Sequence, residues 1–179
     1  MDAQPTADGL ADIRAVIATT AARWLALSAL PADLLHRAPA PGQWSAMSCL
    51  RHLLDSEEHV WPVRLRAFLA GEDVLDFDPD EMGTPLDPGD AAADLAAEFA
   101  RFRAANLEAL AAVTAADLSR GVRHSLLGAV TLGELLHEWA AHDLMHTVQA
   151  EQALMQPFLA GCGPWRPFFA AHDADAGAR

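Results

Sequence analysis

The sequence contains no lysine, so arginine supplies all 12 of its permanently cationic side chains, against 25 aspartates and glutamates. The resulting formal net charge of −13 repels nucleic-acid phosphates, so general nucleic-acid binding is disfavoured. There are only two cysteines, Cys49 and Cys162, which lie far apart and form no CxxC pair. We therefore expect free or buried thiols rather than a disulfide framework.

Long apolar runs are also missing. No stretch approaches the roughly 20 residues that a membrane-spanning helix needs. The opening Met-Asp-Ala-Gln-Pro does not have the basic-then-apolar pattern of a signal peptide. We therefore expect a cytoplasmic protein whose partner is a small molecule, not a membrane.

Helical periodicity is what the sequence does contain. The spacing of apolar side chains predicts four helices, over about 8–30, 45–70, 90–113 and 131–154. Pro31 and Gly71 are typical of residues that end helices, and they follow the first two. Ser45 is a suitable N-cap for the second helix, and Thr131 with Glu134 forms a capping box that begins the fourth.

The predicted fold class is all-α, a four-helix bundle. No segment shows a sustained period of two with β-branched residues, so we do not expect strands. The link over 72–89 is long, acidic and rich in Pro and Gly, and such a link can cross between the ends of a bundle. We predict one domain over 1–179, with its core over about 8–154, a crossover between helices two and three, and an apolar C-terminal tail within 155–179.

Two histidines of the fourth helix point inward. At about 100° per residue, His142 and His146 fall on the apolar stripe of that helix, one turn apart. Their ring nitrogens can converge on one cation. The alternative is a pair of hydrogen-bonded core histidines, but two polar rings on adjacent turns of an apolar stripe are costly without partners. His137 lies on the opposite side and should be solvated.

The zinc-protease motif HExxH is not present. The segment that begins at His142 and ends at His146 carries Asp143 where the catalytic glutamate should be. His137 and Glu138 precede His142 at a spacing that places them on another face. The sequence therefore excludes a protease of this class.

The second helix is apolar over most of its circumference. His52 borders an apolar stripe formed by Cys49, Ser56, Val60 and Val63, and it could face the bundle interior, although geometry alone favours a partly exposed histidine. Asp55 belongs to the narrow polar face of this helix. Glu57 sits inside the other stripe, where a buried carboxylate needs a partner or a raised pKa. We expect an ion pair with Arg14 or Arg103; an acid–base role is the alternative.

Two parts of the chain resemble DinB-like proteins. The matching residues are Gln43-Trp44-Ser45 and 52–57 near and within the second helix, and 128–136 and 139–149 around the fourth. Members of that family are four-helix bundles, often dimeric, with a long connection between helices two and three. The resemblance implies a divalent cation, commonly zinc or nickel, on His52, His142 and His146. It is this resemblance that adds His52 to the ligands.

The resemblance also implies a choice of functions. Some relatives transfer a low-molecular-weight thiol of the mycothiol or bacillithiol type to electrophiles, and this S-transferase activity is our leading expectation. The alternatives are a metal-dependent hydrolase of a small ester or amide, and a non-catalytic metal-binding stress-response dimer. Three protein ligands leave a position on the metal for a water or a thiol.

Several neighbours of the predicted ligands have expected roles. Gln149 continues the histidine side of helix four and could orient a bound ligand. Asp143 and Glu138 could hold the imidazoles through hydrogen bonds. Leu144 and Met145 lie off the core stripe, where a partner subunit or the tail over 158–169 could cover them.

Overall fold

The chain is a helical bundle with one small β-hairpin. The computed structural model describes residues 7–77 and 83–174. In chain order, the helices and strands are α1 (Ala7–Leu27), α2 (Ala32–Leu35), α3 (Ala46–Asp55), a π-helical turn (Ser56–Val60), α4 (Trp61–Ala70), α5 (Ala92–Ala111), a 3-10 turn (Ala115–Ser119), β1 (Gly121–His124), β2 (Gly128–Thr131), α6 (Leu132–Gly161) and a 3-10 segment (Gly163–His172). The predicted all-α four-helix bundle is confirmed, with α1, α3–α4, α5 and α6 as its members.

The predicted helix ends follow local chemistry. The Ser45 side chain accepts a hydrogen bond from the backbone N–H of Ser48, and Thr131 and Glu134 form the capping box that starts α6. Gly71 ends α4 with a left-handed φ of 73°, a conformation that glycine adopts without steric cost. Part of the predicted crossover, residues 78–82, lies outside the described residues.

A π-helical turn interrupts the second bundle helix, and the sequence analysis missed it. One extra residue per turn rotates every later side chain relative to an unbroken α-helix. Val63, which we placed on an apolar stripe, is therefore half-exposed, whereas Glu57 within the turn is fully buried. Asp55, which we placed on the polar face, is buried and ion-paired with Arg51 at 2.7 Å.

The expectation that the chain has no strands was wrong. β1 and β2 pair antiparallel, from Gly121 opposite Thr131 to His124 opposite Gly128. Each strand has four residues, too few to show a sustained alternation. Val74 of the crossover adds a parallel bridge to His124, so the hairpin and the crossover meet beside the start of α6.

Two apolar clusters fill the bundle, and a polar layer separates them. One cluster contains Trp61 and Trp139, and the other contains Trp24 and Phe99. On every bundle helix, a buried polar side chain lies in sequence between the residues of one cluster and those of the other. These side chains are Thr20 of α1, Glu57 of the π turn, Arg103 and Asn106 of α5, and Asp143 and Thr147 of α6. His146 of α6 lies within the same stretch of sequence.

The C-terminal tail contacts α6 but leaves its aromatic side chains exposed. α6 continues to Gly161, past the predicted end at 154 and through Pro157. Gln156 Nε2 donates to the carbonyl of His172 at 2.9 Å, which joins the tail to the helix. Trp165 and Phe168 remain exposed, as do Leu144 and Met145, so the tail does not cover the latter pair. No helix in the described part of the chain is both long and apolar enough to span a membrane.

Candidate metal centre

Three histidines from two helices meet at one side of the bundle. His52 of α3 and His142 and His146 of α6 each offer a ring nitrogen, and these nitrogens lie within 4.8 Å of one another. The Nε2 atoms of His52 and His142 are 2.9 Å apart. Ring centroids are separated by 4.3–4.9 Å. The structure thus brings together all three residues named from the sequence.

The arrangement follows from helix geometry and helix packing. His142 and His146 are one turn apart on α6, whose start is fixed by its capping box, so both rings project on one side. His52 reaches them because α3 packs directly on α6. His137, at the exposed side of α6, is excluded from the cluster as expected.

The donor set suits a divalent cation. When two neutral imidazoles face each other through Nε2 at 2.9 Å, only one can donate, whereas a cation accepts a lone pair from both. Burial lowers the pKa of His142 to about 2, and electrostatic repulsion of its charged form by His146, His52, Arg103 and Arg64 adds to the effect. His142 therefore stays neutral at physiological pH, which is the form that binds metals.

Two other side chains orient these rings. The Nδ1 atom of His146 lies 2.9 Å from Oε1 of Gln149, and a hydrogen bond donated there leaves Nε2 unprotonated and free to coordinate. Trp44 stacks on His146 with ring centroids 5.4 Å apart and contacts His52 at 4.9 Å. Gln149 was named from the sequence as a ligand-orienting residue, and the structure places it against a histidine. The role of Trp44 was missed.

Glu57 lies behind the cluster in the polar layer, with Arg103 as its partner. Arg103 Nη2 donates to Glu57 Oε1 at 2.7 Å, and Trp139 Nε1 donates to the same oxygen at 3.0 Å. Asn106 donates to the other oxygen at 2.9 Å. The alternative partner Arg14 instead donates to backbone carbonyls at the end of α5.

The two carboxylates expected to hold the imidazoles contact arginines instead. Asp143 accepts from Arg103 at 2.6 and 3.0 Å, and Glu138 Oε1 lies 3.5 Å from Nη1 of Arg64. Burial raises the pKa of Asp143, and the charge of Glu57 adds to this, against the opposing effect of Arg103. Although burial opposes the charged form, Asp143 and Glu57 raise the pKa of the Arg103 guanidinium, which keeps it cationic.

The histidines open into a cavity of about 370 Å³ between α4, α6 and the hairpin. Its apolar walls include Trp61, Phe77 and Leu127, and its polar walls include Arg64 and His124. Sequence reasoning missed Arg64 and His124, because the crossover and hairpin approach the helices only in the folded chain.

A second cavity, of about 540 Å³, shares Trp44 with the first. It is lined by the glutamine side chains Gln43, Gln149, Gln152 and Gln156. Trp44 lines both cavities, and Gln149, which contacts His146, lines the second. The histidine cluster therefore lines one cavity with apolar walls, and through Gln149 it contacts the wall of a second cavity that is more polar.

Together, the fold and this cluster define a helical-bundle protein with a candidate three-histidine metal centre. The family model of the DinB superfamily matches residues 10–150, and the chain belongs to that superfamily. Its fold is similar to that of YfiT from Bacillus subtilis, described as a probable metal-dependent hydrolase with an unusual four-helix bundle topology. The TM-score is 0.70 at 17% identity, over 83% of this chain and 87% of that one. No curated protein matches the sequence significantly.

Proposed function

We propose that His52, His142 and His146 hold one divalent cation, zinc or nickel, and that the chain uses it to transfer a low-molecular-weight thiol to a small electrophile. Two cavities that share Trp44 support this proposal, because a transferase must hold two substrates. One cavity includes the histidines, and the other is lined by Gln149, which contacts His146. A hydrolase, whose second substrate is water, needs only one. The glutamine-lined cavity suits a polar thiol, and the cavity with Trp61 suits an apolar electrophile.

The protein's own residues have defined tasks in this reaction. A divalent cation on three imidazoles supplies Lewis acidity that favours the deprotonated form of a thiol or water. Gln149 and Trp44 keep the His146 ring in its orientation, and the apolar walls exclude bulk water from the electrophile. In the reaction the thiol loses its proton to solvent, sulfur forms a bond to the electrophilic carbon, and the leaving group departs with the electron pair of the bond that breaks.

Metal-dependent hydrolysis of a small ester or amide is the second candidate. The description of YfiT as a probable metal-dependent hydrolase favours it, together with the similarity of the two folds. Here the attacking group is water, and the glutamine-lined cavity has no substrate role.

A non-catalytic metal-binding homodimer is the third candidate. Exposed apolar side chains on one stretch of α6, Leu144, Met145 and Val148, support a contact between two copies of the chain. In that case metal removal lowers stability or dissociates the dimer, without loss of any turnover. Sedimentation of the metal-loaded and metal-stripped protein measures this effect.

The experiment for the metal centre compares His142→Ala with His137→Ala. Both remove an imidazole from α6, but only His142 belongs to the cluster. We expect one tightly held ion per chain in the wild type and in His137→Ala, and none in His142→Ala, by elemental analysis after dialysis. A His142→Ala protein that still carries one ion contradicts the assignment.

The experiment for the reaction follows a chromogenic electrophile and a chromogenic ester, each with and without a small thiol. The transferase predicts loss of the electrophile only when thiol is present. Ester cleavage at the same rate without thiol contradicts the transferase and supports the hydrolase. In either case His142→Ala should abolish turnover.

A further inference from the structure

Arg64 is a buried cation with unused hydrogen-bonding capacity. The residue is 9% exposed and lines the cavity that contains the histidines. Within the described residues, its polar contact is with Glu138, whose Oε1 lies 3.5 Å from Nη1 and whose side chain is half-exposed. A guanidinium has five N–H donors, and among the described residues no Arg64 nitrogen is sealed from solvent without a partner, so the group faces the open cavity. An acceptor that enters this cavity can therefore reach it.

His124 is a second donor in the same cavity. It is 5% exposed, and its Nδ1 accepts the backbone N–H groups of Leu126 and Leu127 at 3.1 and 3.3 Å. In the neutral ring the proton is therefore on Nε2. The Oδ1 atom of Asp76 lies 3.9 Å from Nε2, longer than a hydrogen bond. The turn of the hairpin thus fixes His124 as a donor, and Asp76 does not satisfy it.

We propose that Arg64, together with His124, binds a carboxylate of the substrate; this rests on the proposed function and specifies its substrate class. Arg64 and His124 both line the cavity that includes the histidine cluster. The planar fork of a guanidinium matches the two oxygens of a carboxylate. The apolar body of such a substrate would contact Trp61 and Phe77, with its reactive end towards the histidines.

The charges around the cavity favour a single negative charge on this substrate. Asp76 and Glu138 also line the cavity, and the whole chain carries −13. A doubly charged phosphate meets more repulsion from these carboxylates than a singly charged carboxylate does. The substrate is therefore a small carboxylic acid with an apolar body rather than a phosphate ester.

The test measures binding of phenylacetate, its neutral analogue phenylacetamide and inorganic phosphate to the full chain, by ligand-observed NMR at one ionic strength. We expect the wild type to bind phenylacetate about tenfold tighter than phenylacetamide, and Arg64→Gln to lose this preference. Arg66→Gln is the matched control, because it removes the same charge from an exposed position of the same helix. Equal binding of the two analogues by the wild type, or tighter binding of phosphate, would overturn the proposal.

Two further variants separate this site from the metal centre. His142→Ala should keep the preference for phenylacetate, because Arg64 and not the cation holds the carboxylate. A preference lost in His142→Ala but kept in Arg64→Gln would assign the carboxylate to the metal and overturn the proposal.

Glu138→Gln removes the carboxylate that competes for Arg64 within the chain, so it should tighten phenylacetate binding about threefold or more. This variant tests the proposal even if Arg64→Gln does not fold, since unchanged or weaker binding contradicts it.

Discussion

Replacing Arg103 by methionine should reveal how much the bundle depends on its polar layer. Arg103 is 1% exposed, and its guanidinium donates to Glu57, to both oxygens of Asp143 and to the carbonyl of Ile17. Methionine has a similar length but no charge and no donors. The variant therefore keeps two fully buried carboxylates and removes a cation that contacts both of them.

The expected loss in the free energy of unfolding is large. Removing one partner of a buried ion pair costs about 3–5 kcal/mol, because an uncompensated charge remains in the interior. Here two carboxylates lose the same partner, although Trp139 and Asn106 still donate to Glu57. We therefore expect a loss at pH 8 of at least about 3 kcal/mol, a large fraction of the stability of an ordinary domain.

The loss should depend on pH in a defined direction. Burial already raises the pKa of Asp143, and without Arg103 the opposing effect of its charge disappears. In the folded variant the pKa of Asp143 is then above the ordinary carboxylate value of about 4, which applies to the unfolded chain. Between these two pKa values the folded variant binds more protons than the unfolded chain, so its free energy of unfolding falls as pH rises. The variant should therefore recover part of its stability when the pH is lowered from 8 towards 5.

Urea unfolding followed by tryptophan fluorescence measures both effects, provided that the m-value stays constant. Arg101→Met is the matched control, because Arg101 is an exposed arginine of the same helix and its loss should change stability by no more than about 0.5 kcal/mol. If Arg103→Met is within about 1 kcal/mol of the wild type at pH 8, or its deficit does not shrink at pH 5, the interpretation of the polar layer is refuted.

Two other substitutions test the contacts around the site and in the core. Gln149→Leu should weaken metal affinity about 10–100-fold, because it releases the His146 ring. The control Gln152→Leu changes a neighbouring residue of the glutamine-lined cavity and should leave the affinity unchanged. Equal metal affinities of the two variants, measured by chelator competition, would contradict the orienting role of Gln149. Phe99→Ala should lower the free energy of unfolding in urea by about 3–5 kcal/mol, because Phe99 is fully buried in the cluster with Trp24. Its ring also lies 4.8 Å from the Arg103 guanidinium. A loss below about 1 kcal/mol would show that the space left by the ring collapses.

Local sequence signals were sufficient to predict where two bundle helices start and where one ends. The caps at Ser45 and Thr131 and the stop at Gly71 act within one turn, so their physics is contained in a few adjacent residues. The inward direction of His146 followed from the helical period alone, and its burial agrees. Local signals failed at the π turn, because an α-helical period continued through Ser56–Val60 misplaces Val63.

Part of the site could not be obtained from local patterns. Glu57 was recognised as a buried carboxylate, but its partner could be narrowed only to Arg14 or Arg103, since the choice depends on which helices touch. Asp143 shares the inner side of α6 with the histidines, and only the packing of α5 shows that it contacts Arg103 rather than a ring. Arg64 and His124 looked unremarkable in the sequence because the residues that surround them are distant along the chain.

By itself, the sequence determined the helical class, the helix starts after Ser45 and Thr131, the helix stop at Gly71 and the inward direction of His142 and His146, because these depend on interactions within a few residues. The resemblance to a family, not the helical period, added His52. Only the tertiary structure decided that the three rings lie within 4.8 Å, that Arg103 joins two buried carboxylates, and that Arg64 and His124 open into the same cavity as the histidines. The physical reason is that such contacts depend on how separate helices and the hairpin pack, and that packing is decided by the burial of the whole chain's apolar surface.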